Sequence, residues 1–225
     1  MENKKTVSKP NRRAKNKVGI LRSHASIALH ASDSVLLWHG RKDKTQGLPG
    51  FFSRTVELET AASKDDPYAD HGLLLIESTM NEAFLTLNRL STGLAKTEGR
   101  RRVTGSDCAS LAPVEKPLFV SSRFGWRMVA LIEEFDLFMV DLLDAQFKAR
   151  VNRKAFEQQR EAALHCIRSV LEKCQVTHHS GISRNDVSAN NPKAISAKEK
   201  FGRIPLEVME GVVRAEFAPE IKTRS

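Results

Sequence analysis

Residues 116–150 read KPLFVSSRFGWRMVALIEEFDLFMVDLLDAQFKAR, and this stretch determines the predicted fold. Lys116 to Ser122 has the composition of a short strand, and Phe124 to Arg150 repeats apolar residues at the three- and four-residue spacing of an amphipathic helix. After a break near Asn152, a second long helix is predicted to continue to about Cys174. The stretch therefore predicts a strand followed by two helices.

The same spacing predicts which faces of these two helices are buried. The solvated stripe of the first helix carries Glu134, Asp141, Asp144 and Lys148, so its second half is acidic. The side chains predicted to enter the core are Met128, Leu131, Ile132, Phe135, Phe138, Leu142 and Phe147 in the first helix, and Phe156, Ala163, Ile167 and Val170 in the second.

A second strand is predicted upstream, where polar and apolar residues alternate from Ser23 to His30. Its apolar residues face one way, which is typical of a strand with one buried side. A short helix capped by Ser32 or Asp33 is predicted to follow and to end at Gly40, and residues 41–53 are predicted as a loop.

Two further elements are predicted before residue 116. Arg54 to Thr60 alternates and is predicted as another strand. Asp66-Pro67 places a capping carboxylate before a proline at the first helical position. The apolar spacing behind it predicts a helix of about six or seven turns ending near Gly93.

The fold class predicted from these elements is α+β and mainly α-helical, with a ribbon-helix-helix type DNA-binding element embedded in a larger helical domain. Two short helices complete the domain near the C-terminus, one starting at Asn191-Pro192 and one near Pro205 to Glu216. Residues 18–225 are predicted to form this single domain, and residues 1–17 to form a disordered basic arm.

The charge distribution is the first indication of function. The chain has 36 Lys and Arg against 27 Asp and Glu, a net charge of +9, and residues 1–17 alone carry +6. A segment with so few apolar groups is predicted to be disordered, and a polycation of this kind is expected to bind a polyanion. Nucleic acid is the first candidate and an anionic membrane the second; a solubilising arm is the alternative.

Several functional classes are disfavoured by the absence of their motifs. No apolar run approaches the roughly 18 residues that span a bilayer, and the N-terminus lacks the apolar stretch of a secretory signal. Three cysteines form neither a disulfide framework nor a CxxC metal motif, which predicts a cytoplasmic protein. Because no catalytic, phosphate-binding or dinucleotide motif occurs, we expect no enzyme, no cofactor, no metal and no small-molecule substrate.

One acidic cluster allows a different interpretation. Asp65, Asp66, Asp70 and His71 lie close together and could indicate a metal-dependent hydrolase. Carboxylates in the first turn of a helix are better explained by the positive end of the helix dipole. The pair His178-His179 has no Cys at zinc spacing and is interpreted as a loop pair.

The strand candidates indicate how DNA would be bound. In ribbon-helix-helix proteins a two-stranded ribbon, with one strand from each subunit of a homodimer, enters the major groove. Either Ser23 to His30 or Lys116 to Arg123 could supply that strand, and the second fits the strand–helix–helix order better; an ordinary edge strand is the alternative for both. The candidate DNA-binding residues are Lys15 and Lys17 of the arm, Arg22, His24, Ser26 and His30 around the first strand, and Lys116, Ser121, Arg123 and Arg127 around the second, with Phe119 in its outward set.

Six sequence blocks carry a resemblance to a known family. They are Gly19 to Ser23, Leu29-His30 with Leu37 to Arg41, Asp65 to Asp70 (DDPYAD), Gly181 to Asp186, Gly202 to Val208 and Arg214 to Pro219. With these blocks the chain resembles the AcaB-like family of integrating conjugative element and plasmid proteins.

The resemblance implies a bacterial transcriptional regulator that activates conjugative transfer genes through a ribbon-helix-helix type element. Its expected partners are promoter DNA and a second copy of the chain. The alternative is a scaffold or accessory protein of the conjugation machinery that does not bind DNA.

Overall fold

The fold was obtained as a computed structural model that describes residues 25–41, 46–97 and 108–222. The predicted arm and the candidate residues Lys15, Lys17, Arg22 and His24 lie outside these ranges. The elements of the described residues are β1 (Ala25–Leu29), α1 (Ser32–His39), α2 (Leu48–Ala62), α3 (Pro67–Ala95), β2 (Val114–Leu118), α4 (Arg123–Phe147), α5 (Arg153–Val176), α6 (Arg184–Ser188), α7 (Pro192–Phe201) and α8 (Leu206–Met209). The mainly helical class is thus confirmed.

Four helices, α2 to α5, pack against one another and form the core. Phe51 of α2, Met80 of α3 and Phe135 of α4 are completely buried between them. The predicted core residues of α4 and α5 are confirmed with one exception. Phe147 is 89% exposed, because it lies about 200° around the helix from buried Ala145 at 3.6 residues per turn.

Helix α2 corrects two predictions. Residues 54–60 are helical rather than extended, and the loop predicted for residues 41–53 ends at Gly47. The alternation of Val56 and Leu58 suggested a strand, but the buried side chains recur at helical spacing, with Pro49 in the first turn. The buried residues are Leu48, Phe51, Phe52, Thr55, Leu58 and Ala62.

Helix α3 begins as predicted. The Asp66 side chain accepts hydrogen bonds from the backbone N–H groups of Tyr68 and Ala69, and Pro67 is the first helical residue. The helix passes Gly93 and ends at Ala95, so Gly93 is not its terminus. Helix α1 differs from the prediction at its start, because its N-cap is Ala31 and no side chain caps it.

The C-terminal segment is only partly as predicted. Helix α7 runs from Pro192 to Phe201 with Asn191 as its N-cap, which confirms the prediction. The helix predicted from Pro205 to Glu216 is wrong beyond Met209, and α6 was not predicted. Helices α6 and α7 pack on Tyr68 through a small apolar cluster that includes Ile182, Ala194 and Ala197.

A completely buried carboxylate attaches this segment to the core. Asp70, in the first turn of α3, accepts hydrogen bonds from Arg184 (Nη2 to Oδ2, 2.8 Å) and from Arg214 (Nη2 to Oδ1, 2.8 Å). Arg184 also pairs with Asp65 and donates to the carbonyl oxygen of Val208. The charge of Asp70 is therefore neutralised by two residues that are distant in the sequence.

Other carboxylates of the core helices hold backbone N–H groups in the same manner. Asp136 accepts from His30 and Ala31 at the end of β1, and Glu77 accepts from residues 216 and 217. Asp66 uses its second oxygen to accept from Ser180 and Gly181. These bonds fix irregular segments on a helical core, since charge-assisted hydrogen bonds are about twice as strong as neutral ones. Within the described ranges, no helix is long and apolar enough to cross a membrane.

Replacing the buried carboxylate tests its role. We expect Asp70→Asn to lower the free energy of unfolding by about 3–5 kcal/mol, because it leaves two guanidinium groups without their shared counter-ion. Urea denaturation measures this value. The control is Glu161→Gln, which removes an exposed ion pair with Arg168 and is expected to cost less than about 1 kcal/mol. Equal denaturation midpoints for the two variants would contradict the assignment.

Candidate nucleic-acid interface

The two strand candidates form one ribbon. β1 pairs with β2 in antiparallel orientation within a single chain, and the register places Ala25 opposite Leu118 and Leu29 opposite Val114. The prediction of a ribbon with one strand from each of two subunits is therefore corrected. The two candidate strands are therefore not alternatives to each other, because they form backbone hydrogen bonds with one another.

The ribbon has one face on the core and one face in solvent. Ile27, Leu29 and Leu118 are buried against the helices, as predicted for β1. The opposite face presents four exposed residues, Ser26, Ala28, Glu115 and Pro117. Lys116 lies opposite Ile27 on the core side, and its Nζ atom is 3.2 Å from Nε2 of His39. Lys116 is thus held beside α1 rather than on the outward face.

One end of the ribbon gathers several candidate residues. Because Ala25 is opposite Leu118, the chain enters β1 where β2 leaves for α4. Ser26, Phe119, Ser121 and Arg123 are all exposed there, and Phe119 is 85% exposed. We call these four residues the ribbon end. In sequence, Arg22 and His24 immediately precede it.

The ribbon end is fixed at the start of α4. Ser122 caps the helix by accepting from the N–H of Gly125, and its hydroxyl lies 2.7 Å from that of Thr55. Glu59 of α2 accepts from the N–H of Phe124, and burial raises the pKa of Glu59. A carboxylate therefore already occupies the N-terminus of α4, and the exposed groups for a ligand are the side chains of the ribbon end.

Two other candidates are engaged inside the protein. His30 accepts a hydrogen bond at Nδ1 from the N–H of Ser110 and is half-buried. Arg127 contacts Glu77 and Asn81 of α3, and its guanidinium lies 4.5 Å from the ring centre of Phe217. These contacts favour structural roles for both residues, unlike the exposed Arg123.

The aspartates of the acidic cluster stabilise the fold. Asp66 caps α3, Asp65 pairs with Arg184, and Asp70 has the two arginine partners described above. Burial lowers the pKa of His71. Among the described residues, no group of three or more His, Cys, Asp and Glu side chains is arranged to hold a metal ion.

The charge of the described residues is balanced. They contain 22 Lys and Arg and 23 Asp and Glu, so the whole net charge of +9 comes from the remaining residues. Residues 1–24 contribute +7 of it. The helical body itself therefore has no net attraction for a polyanion, and most of the long-range attraction must come from the N-terminal sequence.

The architecture defines a mainly helical protein that exposes a small antiparallel ribbon. A family described as "Transcriptional regulator AcaB" matches residues 17–222. The chain belongs to this family; it is a transcriptional regulator and not an enzyme.

The solved structures include one of the same fold. The crystal structure of selenomethionine-containing AcaB from uropathogenic E. coli has a TM-score of 0.55 and 10% sequence identity. The match covers 85% of this chain and 98% of that one. A search of the curated proteins finds no match.

Four of the six blocks that carried the resemblance meet around the first turn of α3. Asp65 to Asp70 contacts Gly181 to Asp186 through the Asp66 and Arg184 bonds, and contacts Arg214 through Asp70. Gly202 accepts from the Tyr68 hydroxyl at 3.0 Å. These four blocks therefore stabilise the fold of this chain, and the candidate DNA-binding residues lie elsewhere.

The two neighbouring arginines of α4 are expected to behave differently. Arg127→Ala should lower the free energy of unfolding by about 1.5–3 kcal/mol, because it removes charged hydrogen bonds to α3. Arg123→Ala should stay within about 0.5 kcal/mol of wild type, since Arg123 is exposed. Urea denaturation of both variants measures this. If Arg123→Ala lowered the free energy of unfolding as much as Arg127→Ala does, the different roles assigned to the two arginines would be refuted.

Proposed function

We propose that this protein is a sequence-specific DNA-binding activator of conjugative transfer genes that acts in the bacterial cytoplasm. The proposal rests on one observation: the net positive charge and the exposed ribbon end lie in different parts of the chain. The net positive charge lies in the N-terminal sequence, while a neutral helical body presents a fixed, exposed ribbon end. This separation suits a protein that attracts DNA with one part and reads it with another.

Phosphate binding is assigned to the N-terminal residues. Lys15 and Lys17, with Arg22 and His24 just before β1, would contact the sugar-phosphate backbone as the ribbon approaches the duplex. Such contacts dominate affinity and depend on salt, because each neutralised phosphate releases bound counterions. They do not distinguish one sequence from another.

Base reading is assigned to the ribbon end. The ribbon end combines Ser26 of β1 with residues that follow β2, and two strands spaced about 4.8 Å apart are narrow enough for a major groove about 12 Å wide. The hydroxyls of Ser26 and Ser121 can donate to or accept from base edges, Phe119 can contact a thymine methyl group, and Arg123 can reach guanine or a phosphate. The order β2, α4, α5 is the strand–helix–helix order of a ribbon-helix-helix element, although the ribbon of this chain is completed by β1.

Homodimerisation is a separate part of the proposal. Two copies would read two half-sites with the same residues, as symmetric DNA-binding dimers do. The ribbon does not require the second copy, because both of its strands belong to one chain. Light scattering coupled to size exclusion is expected to give about twice the mass of one chain, 25.1 kDa.

The alternative function is an accessory protein of the conjugation machinery that does not bind DNA. The exposed surface of α4 favours it, because Trp126 is 44% and Leu137 60% exposed beside Glu133 and Glu134. Gel-shift titration on promoter and random duplexes at two salt concentrations separates the two functions. An accessory protein would show no preference for the promoter.

Removing residues 1–17 tests the role of the arm. We expect the affinity for promoter and random duplex to fall by the same factor, and the slope of log K against log salt to decrease by about 0.9 for each phosphate that is no longer neutralised. Fluorescence anisotropy at several salt concentrations measures both values. Disappearance of the preference for the promoter upon truncation would show instead that the arm reads sequence.

Substitutions at the ribbon end should have the opposite effect. Phe119→Ala and Ser121→Ala are expected to reduce the preference for promoter over random DNA by about 1–3 kcal/mol for each base that is no longer read, with the salt slope unchanged. Ser53→Ala, an exposed serine on α2, is the matched control. The base-reading assignment fails if the promoter preference of the ribbon-end variants equals that of the control.

A further inference from the structure

Helix α7 and the residues that follow it hold a cluster of positive charge. Lys193, Lys198, Lys200 and Arg203 are all exposed, and Glu199 is the single acidic residue among residues 192–203. We call these four basic residues the α7 cluster. The segment carries +3, whereas the described residues together carry −1. The cluster therefore stands out against a body whose charge is balanced.

Most basic residues of the α7 cluster have no carboxylate partner in the part of the chain that the structure describes. Among the described residues, Lys198, Lys200 and Arg203 form no ion pair with a carboxylate, and Lys200 lies 5.1 Å from the ring centre of Phe201. Eight of the other 18 basic residues in the described ranges do form such pairs. They are Arg54, Arg127, Lys148, Arg150, Arg160, Arg168, Arg184 and Arg214. The α7 cluster thus retains charge that folding does not neutralise.

The opposite face of α7 packs on the core. Ala194 and Ala197 are buried, and the ring of Phe201 lies 5.6 Å from that of Tyr68. The Tyr68 hydroxyl donates to the carbonyl oxygen of Gly202, immediately before Arg203. These contacts position the basic side chains without using them.

The C-terminal segment connects the α7 cluster with the ribbon end through contacts along α3. Tyr68 holds α7, and Glu77 holds residues 216 and 217. Arg123 of the ribbon end donates to the carbonyl oxygen of Ala218 at 3.3 Å.

We propose that the α7 cluster is a second phosphate-binding surface, which contacts the backbone of the DNA that the protein binds. The ligand is the sugar-phosphate backbone of double-stranded DNA, and the contact adds affinity without sequence preference. This inference rests on the proposed DNA-binding function and adds a contact surface in the C-terminal segment.

The test compares two double variants with the same change in net charge. Lys198→Gln/Lys200→Gln neutralises the cluster, and Arg89→Gln/Lys96→Gln neutralises two exposed residues near the other end of α3, more than about 30 Å from Tyr68 along the helix. Anisotropy titrations of the full chain on a promoter duplex give the slope of log K against log salt. We expect the slope to fall by about 1.8 in the first variant and to stay at the wild-type value in the second.

Further variants separate DNA contact from helix stability. Cations stabilise the C-terminus of a helix, so thermal unfolding is measured for each protein. Arg203→Gln lies outside α7 and is expected to lower the slope by about 0.9 without changing the unfolding temperature. Lys198→Arg/Lys200→Arg should bind as wild type does.

The outcomes are distinct for the two proposals. A wild-type slope in both Lys198→Gln/Lys200→Gln and Arg203→Gln would overturn the second surface, while promoter binding by wild type would still support the proposed function. An equal decrease in the Arg89→Gln/Lys96→Gln control would also overturn it, because net charge alone would then explain the result. Failure of wild-type protein to bind DNA at any salt concentration would refute the proposed function itself.

Discussion

The buried carboxylate of Asp70, shared by Arg184 and Arg214, is the interaction on which the arrangement of the C-terminal half depends. A completely buried charge is tolerated only when it is paired and hydrogen-bonded, so Asp70 can be buried in the folded protein only because both arginines bind it. These two ion pairs hold α6, α8 and the residues up to Phe217 on the core. Asp66, Glu77 and Asp136 extend the same principle to three other segments.

This use of charge explains the division within the molecule. Several arginines of the helical bundle pair with carboxylates of the fold, and the described residues as a whole are close to electrical balance. A nucleic-acid ligand is then attracted by the N-terminal sequence and by local groups of basic side chains that form no ion pair among the described residues. Sequence discrimination is left to the small ribbon end, whose geometry is fixed by the cap of α4 and by pairing between β1 and β2.

Local signals predicted much of the fold, and long-range pairing accounts for the errors. Asp66-Pro67 and Asn191 predicted helix starts because a cap acts within its own turn. Residues 54–60 were predicted as a strand because two alternating apolar residues outweighed the longer helical spacing of α2. No local pattern shows that β1 pairs with β2, or that Arg127 turns toward α3 while Arg123 stays exposed. The basic residues of α7 form a local charge excess in the sequence, but their exposure depends on how α7 packs on Tyr68.

Chromatin immunoprecipitation with sequencing in the bacterial host tests the central claim of sequence-specific regulation most directly. The account predicts enrichment at the promoter of a transfer gene, and it predicts that a variant altered at Phe119 and Ser121 distributes over the genome without that peak. A flat profile for the wild-type protein, expressed at the level of its variants, would contradict the account and favour an accessory role in conjugation.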